Sequence, residues 1–323
     1  MELTDRLYER ASLLAVMREY LSGHQCVEVT TPVLRSFGVT DPFIASIAAF
    51  HGNKAMGFLQ TSPEYAMKQL LCLGSGDIWQ MGPAFRGGES GRRHRSEFTM
   101  LEWYRCGWSL SQLMEEVLAL MNVSSSCLSS VADDVGSMLS ASVVHTTYRA
   151  LFEERFGENP HRLDREALIQ LSRQELGSLA QHIHVASGRS GYLDALFSQR
   201  VEPELVAPTF VTEFPVEQAA LAKVSVRDGD RVGMRFELYC RGVELANGYE
   251  ELGDRRALTL RFEENNRSRK RLGLPEMTLD RGLLSVIDQL PDCVGVALGV
   301  DRLHMVLADA DGLDEIDSTS ALW

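Results

Sequence analysis

The sequence predicts an α+β domain in which an antiparallel sheet is flanked by helices. Three observations carry the prediction. Ile78–Phe85 and Glu97–Tyr104 read as two strands joined by a ten-residue loop, Gly87–Ser96. Val232–Tyr249 alternates Met234, Phe236, Leu238 and Cys240 against Arg235, Glu237, Tyr239 and Arg241, then turns at Arg241-Gly242. Capped helical stretches lie before and after these strands, and 45% hydrophobic content over 323 residues suffices for a real core.

The elements follow in chain order. Asp5–Ser22 reads as an amphipathic helix with Leu7, Ala11, Leu14, Met17 and Leu21 on one face and Gly23 at the C′ position. Cys26–Thr31 is a strand stopped by Pro32. Leu34–Gly57 reads as irregular strands and loops, and Phe58–Thr61 as a short strand entering Ser62-Pro63-Glu64. There Ser62 can cap a helix with Pro63 at N1 and Glu64 in the first turn, where the helix dipole favours an acid. Ser109–Met121 is a helix capped by Ser109. Residues of about 120–205, with the patch Ser124–Ser130 and the helical fragment Asp164–Leu176, read as a helical insertion within one catalytic domain spanning 1–323. Arg255–Arg271 is a charged helix; its basic end is a solvated terminus or, less simply, a docking patch for an acidic partner. Val294–Leu303 is an apolar, glycine-punctuated strand entering a helix near Asp301.

Net charge is −13, the opposite of a dedicated nucleic-acid binder, which neutralises phosphates with Lys and Arg. The six cysteines form no CxxC pair and read as reduced thiols of a cytoplasmic protein. No apolar run approaches the length of a membrane span.

Four stretches carry unusual chemistry: TSPE at 61–64, FRGGESGRRHRSEFTMLEWYR at 85–105, ELANGYEE at 244–251 and GVALGVDR at 295–302. In the second, one strand face holds Phe98, Met100, Glu102 and Tyr104; a ligand floor and a charged hairpin with a solvated tip both account for it. The last has neither Rossmann spacing nor a Walker lysine. Taken together they suit one site. Arg86 and Arg302 can grip phosphates with planar forks. Phe98 can stack on a base, and Glu244 and Glu251 can hold Mg²⁺. Glu64, Glu102 and Tyr104 then remain for a substrate bearing amino groups.

These strings resemble motifs 2 and 3 of the class II aminoacyl-tRNA synthetases, and the N-terminal helix, strand and Pro32 are similar to the degenerate motif 1. EFTMLEWY, TSPEY, ELANG and GVALGVDR are closest to the lysyl-tRNA synthetase group. More narrowly, nearly the whole chain resembles the short lysyl-tRNA synthetase paralogues that attach (R)-β-lysine to elongation factor P, with the weakest likeness at 120–200. The resemblance implies ATP and Mg²⁺ as cofactors, elongation factor P as acceptor, (R)-β-lysine or lysine as substrate, and a homodimer without an anticodon-binding domain. It further implies that Arg86 binds the α-phosphate, that His94 lies by the phosphates, and that Arg302 binds the γ-phosphate and covers the adenine opposite Phe98. Leu245 and Gly299 would pass close to the nucleotide, and Glu244 and Glu251 would organise Mg²⁺ and substrate. Asn247 would meet the substrate carboxylate. Glu64, Glu102 and Tyr104, with Ser62 beside them, would hold the amino groups. Ala297 would reshape the pocket between α-lysine and β-lysine.

Two departures stand out. The family begins its motif 2 loop Arg-Asn-Glu, whereas this chain has Arg86-Gly87-Gly88, with Glu89 one place on to meet the adenine. Arg95 replaces an Asn expected to face ATP. The alternatives to a protein-lysine ligase are an RNA-aminoacylating enzyme, which the acidity disfavours, and a regulatory paralogue without catalysis.

Overall fold

The computed structural model describes residues 3–128, 143–184 and 187–317. Its main sheet runs β1 (Val27–Glu28), β5 (Ile78–Phe85), β6 (Glu97–Cys106), β12 (Cys293–Gly299), β11 (Val243–Glu250), β10 (Asp230–Cys240), β8 (Thr209–Pro215), β7 (Val144–Thr147), with β9 (Val224–Arg227) also on β10. The expected antiparallel sheet is present from β5 to β8. Both ends depart from it, because β1 pairs parallel with β5 and β7 parallel with β8. Each of these edges joins its neighbour after a long excursion, which a parallel pair requires. The stretch 34–59 is more regular than its composition suggests: β2 (Leu34–Arg35), β3 (Ala48–His51) and β4 (Lys54–Leu59) form a separate three-stranded sheet.

Alternation divides the main sheet into two chemistries. Leu101, Trp103, Phe236, Leu238, Val294, Val296 and Leu298 face one way and are buried. They pack on α1 (Leu3–Gly23), α3 (Leu110–Ser126) and α9 (Val300–Leu307), which bring Leu13, Met17, Val117, Leu120, Leu303 and Val306 into one core. The other face is polar and lines a cleft of about 790 Å³.

Several local expectations need correction. Helix α1 buries Glu9, Leu13, Met17 and Leu21, while Leu7 is 50% exposed and Ala11 is exposed. The core-facing stripe is therefore rotated from the one that apolarity alone marks. Gly23 is still helical, and the left-handed residue is Gln25. The strand expected at Cys26–Thr31 shrinks to Val27–Glu28, since Thr31 gives its N–H to the Gln80 side chain instead of a ladder.

Helix α2 (Glu64–Cys72) starts one residue later than expected. Pro63 is its N-cap, and the Ser62 hydroxyl accepts from Glu64 N at 3.0 Å. Ser109 caps α3 in a reciprocal capping box with Gln112. That helix continues to Ser126, so part of the serine-rich patch is helical; Ser129 and Ser130 lie outside the described residues.

Within 143–205 stand α4 (Tyr148–Phe156), α5 (Arg165–Leu176) and α6 (Gly188–Arg200). Their core of Tyr148, Phe152, Leu168, Leu193 and Leu196 is shared with Val211 and Phe214 of β8 and Tyr239 of β10. Helix α7 (Arg255–Arg271) is capped by Asp254, whose side chain accepts from Ala257 N. Its basic end is not uniformly solvated. Arg269 is buried and donates to the Pro275 and Asp41 carbonyls, whereas Arg267 and Arg271 pair with Glu264.

Candidate active site

The cleft face is assembled from four adjacent strands. Strand β6 presents Phe98, Met100, Glu102 and Tyr104, with Leu101 and Trp103 sent to the core. Its neighbour β12 presents only Gly295, Ala297 and Gly299, which pair with Tyr104, Glu102 and Met100. Nothing larger than a methyl rises from the middle strand, so a ligand can lie directly on its backbone. A Cβ at Gly295 would stand 2.4 Å from a Tyr104 ring carbon and 2.5 Å from Glu251 Oε1. Gly295 is therefore required by these two neighbours.

Strand β11 contributes through a bulge. Leu238 pairs with Ala246 while Tyr239 pairs with Glu244, leaving Leu245 as the extra residue. The bulge changes the parity of the strand. Glu244 thereby lines the cleft together with Asn247 and Tyr249, from which simple alternation would separate it. Across from them, β10 supplies Arg235 and Glu237.

One end of the cleft is rich in acids. Glu102 is 2% exposed and accepts from the Ser62 and Tyr104 hydroxyls, each at 2.6 Å. Burial, then the nearby charge of Glu64, pushes its carboxyl up to about 8. Burial also raises the Tyr104 phenol well above its ordinary value, with Glu102 adding to it. Lys68, one turn along α2 from Glu64, is 1% exposed. Its ammonium lies 2.6 Å from both Glu64 Oε1 and Glu251 Oε2. Burial raises the Glu251 carboxyl to about 7 in spite of Lys68.

The other end is rich in arginine. The Arg86 guanidinium stands 5.2 Å from the Phe98 ring centre and 3.7 Å from Glu89. The loop base is fixed by Arg86 N donating to Ser96 O and Gly87 N to Ala45 O. Arg302, in the first turn of α9, donates to the Glu244 and Arg93 carbonyls and lies 3.5 Å from the Glu244 carboxylate. His94 lines the same end; burial and the Arg302 charge hold its ring below the usual value. Arg95 does not point freely into this space, since it is ion-paired with Asp314 and Asp317.

Of the residues singled out in the sequence, Ser62, Glu64, Arg86, Glu89, His94, Phe98, Glu102, Tyr104, Glu244, Leu245, Asn247, Ala297, Gly299 and Arg302 all line the one cleft. Glu251 is buried at the edge of the cleft, on Lys68 and with Oε1 over Gly295, and is not paired with Glu244. Glu251 stands seven positions on from Glu244, just past the end of β11 and roughly 20 Å along extended chain, so they do not share one ion as expected. The carboxylates that electrostatically feel Glu244 include Glu202 and Glu237, the latter on the adjacent strand and the same face. Glu237 accepts from Asn247 and is also held by Arg235 and Tyr239. Burial pushes Glu237 up to about 7, with Glu244 adding to the rise and Arg235 opposing it. Among the described residues no cluster of three or more His, Cys, Asp or Glu is arranged to hold a metal.

The structure adds Arg235, Glu237 and Tyr249 to the cleft lining and Lys68 to its acid end, beyond the residues that the sequence marks. The signal for Arg235 and Glu237 is the polar half of the alternation in β10; a buried lysine on a helix leaves no such pattern.

Residues 1–318 match the family of class II tRNA synthetases (D, K and N). A protein of Sodalis glossinidius named elongation factor P--(R)-beta-lysine ligase is 40% identical over 319 residues, covering 96% of this chain and 93% of that one. Proteins with the same name from Photorhabdus laumondii and Mannheimia succiniciproducens are 39% and 38% identical, with the same coverage.

Proposed function

The chain belongs to the class II tRNA synthetases of the D, K and N type, and from that premise we propose that it is an ATP-dependent ligase. It activates (R)-β-lysine, or lysine, as an adenylate and transfers it to a lysine side chain of elongation factor P. The observation that carries this is the division of one cleft into an acid end and an arginine end, bridged by a strand bare of side chains. An amino acid with two ammonium groups suits the first, and a nucleotide triphosphate the second.

Phe98 and the bare backbone at Gly299 receive the adenine, with Arg302 above it and Glu89 at its edge. Arg86 binds the α-phosphate. Glu64, Glu102, Tyr104 and Glu251 hold the amino groups, while Asn247 meets the carboxylate. A carboxylate oxygen of the substrate then attacks the α-phosphorus, the bond to the β-phosphate oxygen breaks, and pyrophosphate leaves. Arg86 and Arg302 stabilise the charge that spreads over the phosphate oxygens; positioning and electrostatics suffice, with no protein nucleophile. The amine of the acceptor lysine next attacks the acyl carbon, AMP leaves, and an amide forms with loss of a proton. Mg²⁺ fits the donor set here, because it takes one or two carboxylates together with phosphate oxygens. Glu244 and Glu237 would hold it, and it would neutralise phosphate charge.

The chain works as a single catalytic domain, which the core shared between 143–205 and strands β8 and β10 supports. Exposed Leu7, Tyr8 and Val27 on α1 and β1 support a homodimer through that face. Six free cysteines support a reducing, cytoplasmic setting, and no described helix is long and apolar enough to cross a membrane. The net charge of −13 favours a protein acceptor over tRNA.

Amino-acid-dependent exchange of pyrophosphate into ATP tests the activation step. (R)-β-Lysine is expected to support exchange, and a monoamino acid of the same chain length is not. No exchange with any lysine isomer would remove the proposal.

A further inference from the structure

Lys68 is a buried cation within the acid end, and its placement is specific. It sits four residues after Glu64 on α2, so both side chains share one helix face. Its ammonium donates to Glu64 Oε1 and contacts Glu251 Oε2, joining a helix to the far end of β11. Each carboxylate thus spends one oxygen on Lys68 and keeps the other. Glu251 Oε1 lies over the bare backbone of Gly295, and Glu64 lines the cleft. Glu102 is the third acid of the group, held apart by Ser62 and Tyr104.

Two ion pairs to a lysine this deep exceed what helix stability needs, since an exposed lysine at an i,i+4 position would serve a surface pair. Burying a charged group is costly unless it is paired. The pairing here has a consequence for the ligand. Three carboxylates and one ammonium leave two negative charges when all are ionised, which equals the charge of two substrate ammonium groups.

We infer that Lys68 is a positioning and specificity-determining residue: it aims the free oxygens of Glu64 and Glu251 at the substrate and sets the acid end to accept a diamino acid. This inference rests on the amino-acid-activating reading above. Lys68 touches no substrate atom in it; it acts through the two glutamates.

The test is Lys68→Met, alone and combined with Glu251→Gln, in pyrophosphate exchange with separate titrations of amino acid and ATP. Lys68→Met is expected to raise the KM for the diamino acid at least about tenfold, the effect of one lost charge-assisted hydrogen bond, and to leave the KM for ATP within about twofold. Lys68→Met combined with Glu251→Gln removes the uncompensated charge; it is expected to recover thermal stability while the amino-acid KM stays raised. If Lys68→Met does not fold, Lys68→Arg decides by the same pattern: it keeps the charge and both glutamates but changes the reach and geometry of the contacts, so the amino-acid KM is expected to rise while the KM for ATP stays within about twofold. An amino-acid KM within about twofold of the wild type in a folded variant, or a parallel rise for both substrates, would overturn the inference. Wild-type protein that exchanges with no diamino acid would instead remove the underlying reading.

Discussion

Glu102→Gln separates what the cleft costs from what it does. In the folded chain Glu102 is buried, near Glu64, and its carboxyl is raised from 4.5 to about 8. The fold therefore favours the protonated form. Stability from this group is fully present below pH 4.5 and is lost as pH rises through 8. At about 1.36 kcal/mol per unit, a rise of this size corresponds to roughly 3–5 kcal/mol, part of it shared with Glu64. Glutamine keeps the shape. Its carbonyl can accept from one of the Ser62 and Tyr104 hydroxyls, and its amide can donate to the other oxygen. At pH 8 the variant is expected to unfold roughly 5 °C above the wild type, and the two are expected to converge near pH 4.5. Glu237, Glu251 and Glu202 are also raised to about 7, so the wild-type curve will not be flat without Glu102; the difference between the curves isolates it. Thermal unfolding followed by circular dichroism from pH 4.5 to 8.5 is the assay. Parallel curves, or a variant less stable at pH 8, would refute the reasoning. The same variant is expected to lose amino-acid-dependent exchange, which is where the cost of burying this acid is recovered.

Three further outcomes follow from the same geometry. Because a substrate ammonium favours ionised Glu102, binding of the diamino acid at pH 7 is expected to release protons, so affinity rises as pH increases from 6.5 to 8; calorimetry in buffers of different ionisation enthalpy reads the proton count, and proton uptake would contradict it. Gly295→Ala places a Cβ against Tyr104 and Glu251, and is expected to weaken amino-acid binding at least about tenfold in titrations, with nucleotide binding retained. Arg95→Ala is expected to change the KM for ATP by less than about twofold, since Arg95 is committed to Asp314 and Asp317; a larger effect would mean that the arginine turns to the nucleotide.

Much of this site was legible because it lies on strands. Period-two alternation in β6 placed Phe98, Glu102 and Tyr104 on one face, and the glycines of β12 announced a bare strand. Other features have no local signal. Glu244 and Glu251 share one stretch of sequence and so suggest a pair, whereas the bulge at Leu245 and the hairpin between β10 and β11 set Glu244 beside Glu237. Helix α1 carries apolar residues all round, and Leu7 and Tyr8 show that tertiary packing chose a different stripe for the core. Lys68 reads as a surface lysine until a strand from the far end of the chain brings Glu251 to it. The loop 87–96 carries Gly87, Gly88 and Arg95. Their consequences are local: Gly88 takes a positive φ of 79°, Glu89 reaches the cleft beside Arg86, and Arg95 turns to Asp314.

The transfer step is the most direct test of the central claim. Purified protein is incubated with ATP, labelled (R)-β-lysine, and either elongation factor P or bulk tRNA, and the label is followed into each acceptor. The account predicts label on a lysine of elongation factor P, stable to base as an amide is, with AMP formed in equal amount. Label on tRNA and none on the protein would contradict it.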